Sequence, residues 1–80
     1  GGDKKLALIY FQKAISILER QTNTNGNWMY VQLLMLEARC NDLLGNLENA
    51  KKGYDKTLKA EPNFKIVRDK YYPELLTKLK

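Results

Sequence analysis

Apolar residues along this chain fall into runs at helical spacing, separated by short polar tracts. In the first run Ala7, Phe11, Ala14 and Leu18 recur at i, i+4, i+7 and i+11. Leu6, Tyr10 and Ile17 widen that stripe, and Leu8, Ile9 and Ile15 leave little of the circumference polar. Asp3 stands where a helix N-cap is needed, so a helix is predicted from about Asp3 to Gln21. A helix apolar nearly all round packs on more than one side, and neighbours on both flanks are expected here. The tract from Gln21 to Asn27, QTNTNGN, is polar and turn-forming, and reads as a loop ending in a cap.

The second helix is predicted over Trp28 to Leu44. Met29, Leu33, Leu36, Cys40 and Leu43 form one stripe on it, and Val31, Leu34 and Ala38 form another. Two apolar faces again predict burial between neighbours. Gly45 suits the left-handed residue that closes this helix, and Asn46 is expected to cap the next, over Leu47 to Ala60. There Leu47, Ala50, Tyr54, Thr57 and Leu58 recur at helical spacing until Pro62 stops the run. Asn63 is a further candidate cap for a segment starting at Phe64, with Phe64, Val67 and Tyr71 at helical spacing. Pro73 conflicts with a continuous helix, because a proline in a helix interior loses a hydrogen bond and costs about 3 kcal/mol. A break or kink near Tyr71–Tyr72 is therefore predicted, followed by a last helix to about Leu79.

These elements define an all-α chain of about four helices. At 80 residues it is one small domain or a fragment of a longer chain, with a thin margin of stability. No stretch approaches the roughly 20 apolar residues that span a bilayer, so no membrane partner is expected. Cys40 is the only cysteine, which excludes an intramolecular disulfide and favours a reducing compartment, cytoplasmic or nuclear. The net charge of +5 is uneven: residues 1–44 carry five basic against four acidic side chains, and residues 45–80 nine against five. A solvated helix surface accounts for that excess, while an acidic partner is compatible with it.

Gly2 and Gly45 lie 43 positions apart, and the same offset pairs Ala7 with Ala50, Phe11 with Tyr54, Lys13 with Lys56, Ala14 with Thr57 and Ile15 with Leu58. A period between 20 and 50 residues is the mark of a solenoid, in which each unit buries a face only by stacking on the next. The order of turn glycine, small residue, aromatic and closing proline (Gly45, Ala50, Tyr54, Pro62), with Ala38 as the small residue of the helix before, resembles the tetratricopeptide repeat family. The resemblance covers residues 2–20 and 31–63 and is nearest to the longer-period variants of about 42 residues. It implies a trailing helix over 3–21, a complete repeat over 28–62 and a capping segment over 63–79, as part of a longer array. Glu37 and Asn41 stand at positions that are apolar in the family, Thr57 replaces its second alanine, and Pro73 departs from a regular third repeat.

The chemistry-bearing residues do not assemble into a catalytic pattern. There is no histidine, no zinc spacing, no phosphate-binding glycine loop and no nucleophile elbow. Glu37 and Asp42 are five residues apart and point in different directions on a helix. Cys40 lies on an apolar stripe and reads as a buried, inert thiol. The chain thus reads as non-enzymatic, with no cofactor and no metal. Trp28 reads as a hydrophobic lid on the hairpin, with an exposed recognition residue as the alternative, and Lys52, Lys56 and Lys59 read as a solvated outer face. The family resemblance implies a scaffold that takes a peptide or protein segment in a concave groove lined by leading helices. Carried over by register, the partner-binding residues would be Gln32, Met35, Arg39 and Asp42. The two-lysine carboxylate clamp of chaperone-binding relatives is not matched, with Leu36 and Ile66 at its expected positions. The alternative is a nucleic-acid-binding helical module using the basic C-terminal half, where Arg68 and Lys70 adjoin Tyr71 and Tyr72. Helix one has no preceding partner, so its uncovered apolar flank also predicts self-association.

Overall fold

The computed structural model describes residues 3–21, 24 and 26–80. All regular structure among them is helical: α1 (Asp3–Gln21), α2 (Trp28–Leu43), α3 (Leu47–Ala60) and a final helical segment in two parts. That segment is a π-helical stretch, Val67–Tyr71, running without interruption into α4 (Tyr72–Lys78).

Local signals set most of the helix ends. Asn27 Oδ1 accepts the Tyr30 backbone N–H at 3.1 Å, an N-cap that satisfies one of the free donors of the first turn of α2. Gly45, at φ 86°, closes α2 as expected. Its N–H donates to the Asp42 carbonyl (3.1 Å) and the Asn46 N–H to the Asn41 carbonyl (2.8 Å), the paired bonds of a Schellman motif. Asn46 does not cap α3 with its side chain; its Nδ2 points back to Asn41 Oδ1 at 3.4 Å instead. Asp3 lies within the first turn of α1, where its charge suits the helix dipole.

Near Tyr71–Tyr72, where a break or kink is expected from the sequence, the helix continues through a widened turn. The Tyr72 N–H donates to the Val67 carbonyl, five residues back, and Pro73 enters α4 in its first turn, where no donor is required of it. One extra residue in a turn absorbs the proline without ending the helix.

Two apolar clusters flank α2. Ala38, Ala50, Tyr54, Val67 and Leu75 are fully buried between α2, α3 and α4, with Met35, Leu47, Leu58, Phe64 and Tyr71 packed around them. Ile15, Tyr30 and Leu34 bury the α1–α2 contact, with Leu18 and Leu33 beside them. Gly53 lets α3 approach α2 closely, since a Cβ there would lie 2.7 Å from that of Ala38. The buried Thr57 hydroxyl donates to the Gly53 carbonyl at 2.7 Å, so it sits in the core without an unmet polar group.

The Cα extents are 37 × 30 × 17 Å. A slab 17 Å thick holds at most two helices, each about 10 Å across, so every helix keeps a solvent face. For α1 this corrects the expectation of neighbours on both flanks: Ile15 is its only buried residue among those described. Phe11, the register partner of the fully buried Tyr54, is half-buried, and Leu6 and Tyr10 are 68% and 67% exposed. The physical reason is coverage: α3 is packed by both α2 and α4, whereas α1 packs chiefly against α2.

Candidate functional site

α2 is the central helix, and its two sequence stripes part company in the structure. Val31, Leu34 and Ala38 are buried, Leu34 and Ala38 within the two clusters. The other stripe faces out: Met29, Leu36 and Leu43 are exposed, Met29 by 66%, and Leu33 and Cys40 are half-buried. The Cys40 thiol is free and less buried than expected; partial burial pushes its pKa up. Beside the N-terminal half of this stripe lies an apolar groove of about 260 Å³, lined by Tyr10, Ala14, Ile17, Leu18, Met29 and Leu33.

The four residues assigned to the partner surface by register separate into three kinds. Gln32 is exposed and available. Met35 is half-buried against the core cluster. Arg39 is half-buried, its guanidinium 4.1 Å from the centre of the Tyr71 ring, a cation–π contact. Asp42 does not face solvent as its register position implied. Its side chain is 1% exposed, and its Oδ1 accepts Lys78 Nζ at 2.7 Å while Oδ2 accepts the Tyr54 hydroxyl at 3.0 Å. The Arg39 Nη1 is 3.5 Å away, too long to add much. The π-helical stretch and α4 have closed over this end of the face. Asp42 has become the joint that ties α2, α3 and α4, and Arg39 is held over Tyr71 by the same closure.

A second polar joint ties α1 to its neighbours. The Tyr30 hydroxyl donates to Glu19 Oε2 at 2.7 Å and Lys56 Nζ to the same oxygen at 2.8 Å. Lys56 and then Tyr30 draw the Glu19 carboxyl below its ordinary range. Lys56 is thus bonded, not merely solvated as the sequence implied. Trp28 is half exposed, and its ring lies 5.1 Å from that of Phe64, so it covers the junction after α3 rather than a core of its own.

Where α1, α2 and α3 meet is a polar cleft of about 270 Å³, with Glu37 and Asn41 among its lining residues. Burial pushes the Glu37 carboxyl above its ordinary value of 4.5, against the pull of Lys56. Charging it therefore costs the folded chain more than the unfolded one, and stability is lost as pH rises through 4.5 toward the folded value. Glu37→Gln is expected to raise the melting temperature at neutral pH, with the gain vanishing below pH 4.5. A gain of equal size across that range would show that the carboxyl charge is not the cause.

Among the described residues no three His, Cys, Asp or Glu side chains converge as metal ligands, and no helix is long and apolar enough to cross a membrane. The arrangement offers shape and apolar contact. The outward stripe was visible in the sequence as a stripe, but its exposure depends on which helices arrive beside it. Compared with protein families, with curated proteins and with solved structures, the chain matches none.

Proposed function

We propose that this chain is a non-enzymatic protein–protein interaction module of tetratricopeptide-like helical repeats, and that the outward stripe of α2 takes a peptide or partner segment. The observation that carries this reading is that stripe. Met29, Leu36 and Leu43 stand seven residues apart in solvent on the helix that is otherwise the centre of the packing. Solvent-facing side chains at this spacing are the contact pattern of a helix or extended segment laid along a helix. Gln32 and Arg39 remain as its polar rim, with Met35 supporting from beneath, and Asp42 acts through the fold alone. The 43-residue offset supports the repeat: Ala50, Tyr54 and Thr57 are fully buried, and their counterparts Ala7, Phe11 and Ala14 are half-buried on a helix covered on one side.

The nucleic-acid reading is the weaker one. Lys51, Lys56, Arg68 and Lys78 of the basic half are already paired with Asp55, Glu19, Asp69 and Asp42. The test is a peptide selected on the folded chain, measured by fluorescence anisotropy against two variants. Leu36→Glu should weaken it by about tenfold or more, the loss of one anchor in a contact of this kind. The triple Lys52/Lys56/Lys59→Ala variant should change it little. If the triple variant alone abolishes binding, or binding falls steeply with salt, the basic face carries the function and this reading fails.

A further inference from the structure

The exposed face of α1 has a pattern that its own fold does not use. Asp3, Leu6, Tyr10, Lys13, Ile17 and Arg20 follow one another at spacings of three, four, three, four and three, and all are exposed. That is the seam of a coiled coil, a single stripe along one side of the helix. Asp3, Lys13 and Arg20 make no ion pair among the described residues. The stripe is also self-complementary when reversed. In every pair that an antiparallel copy would form about a two-fold axis between residues 11 and 12, the numbers sum to 23: Asp3 meets Arg20, Leu6 meets Ile17, and Tyr10 meets Lys13.

We propose that this face is a homodimer interface, in which α1 packs antiparallel on α1 of a second copy. Opposite charges meet at both ends, an aliphatic pair lies inside each, and a lysine stem and ammonium lie against a tyrosine ring on each side of the axis. A parallel pairing sets Asp3 against Asp3 and Arg20 against Arg20, so charge selects the antiparallel arrangement. Each interface position is met by its complement from the identical surface, as a two-fold contact requires. The groove lined by Tyr10, Ala14, Ile17, Leu18, Met29 and Leu33 lies beside Ile17, where Leu6 of the second copy arrives, and its volume of about 260 Å³ accommodates a leucine side chain. The contact leaves Leu36, Cys40 and Leu43 of α2 open. It does not depend on the peptide-binding reading, and it is tested by oligomeric state rather than peptide affinity.

Sedimentation equilibrium from micromolar to millimolar protein is the test, with helicity checked by circular dichroism. Asp3→Arg and Arg20→Asp should each raise the dimer dissociation constant by about tenfold, since each turns two attractive end contacts into repulsive ones. An equimolar mixture of the two variants should recover dimers close to the unsubstituted strength. In that mixed dimer the two substituted side chains face each other with opposite charges, and the unaltered Asp3 of one copy faces the unaltered Arg20 of the other. Leu6→Glu should give monomer. A chain that is monomeric throughout the range overturns the proposal and leaves the face to another helix. A dimer indifferent to the single charge reversals, or a mixture no tighter than its parts, overturns it in favour of a different contact.

Discussion

Replacing Tyr54 by alanine is expected to cost the fold about 3–5 kcal/mol, the range for deleting a fully buried aromatic. Tyr54 is 0% exposed, and its ring lies 6.3 Å from both Tyr71 and Tyr72, so it is the surface against which the π-helical stretch and α4 settle. An 80-residue domain has a total stability on the order of 4–12 kcal/mol, so the loss amounts to between about a quarter and all of it. Tyr54→Phe isolates the hydroxyl. It keeps the ring and removes one of the donors to Asp42, at about 1–2 kcal/mol. Urea melts decide both. A loss under about 1 kcal/mol for the alanine variant would mean that the α3–α4 contact contributes little to the cooperative fold.

Asp42→Ala is the second large effect, at about 2–4 kcal/mol. The carboxylate is buried and accepts from Tyr54 and Lys78, so its removal strands the buried Tyr54 hydroxyl and leaves the end of α4 without its tie. The partners predict an asymmetry. Lys78→Ala takes one partner from the buried Asp42 carboxylate but leaves the Tyr54 hydroxyl donating to it, and Lys78 itself is 46% exposed, so it should cost about 1–2 kcal/mol, less than Asp42→Ala. Asp42→Asn keeps an acceptor for Tyr54 and should fall between the two. If Lys78→Ala proved as costly as Asp42→Ala, the ion pair rather than the buried hydroxyl would hold the joint. The same pair of variants bears on function: an Asp42 substitution that weakened peptide binding without loss of stability would return this residue to the partner surface.

Helix boundaries in this protein are local chemistry, and the sequence determined them. Asn27 caps α2, Gly45 takes the positive φ that ends it, and Pro62 follows the end of α3, each through bonds or steric limits reaching only a few residues. The all-α class and the burial of Ala50, Tyr54 and Thr57 follow from the same short-range periodicity. Asn46 shows the limit even here, since a side chain able to cap was taken by Asn41 once the Schellman turn had placed them together. Tertiary structure decided everything that depends on which neighbour arrives. α1 is apolar nearly all round and α2 carries two apolar stripes, and periodicity alone does not say which side is covered; the positions of the neighbouring helices do. Pro73 posed a conflict with two solutions, a broken helix or a widened one. Contacts of Tyr71, Tyr72 and Leu75 with the buried Tyr54 cluster accompany the continuous, widened form. Asp42 and Arg39 share a helix edge three residues apart, yet one is buried as a joint and the other half-buried over Tyr71. Burial is a property of the space between elements, and a side chain's charge does not reveal whether a hydroxyl and an ammonium from distant segments will come to meet it.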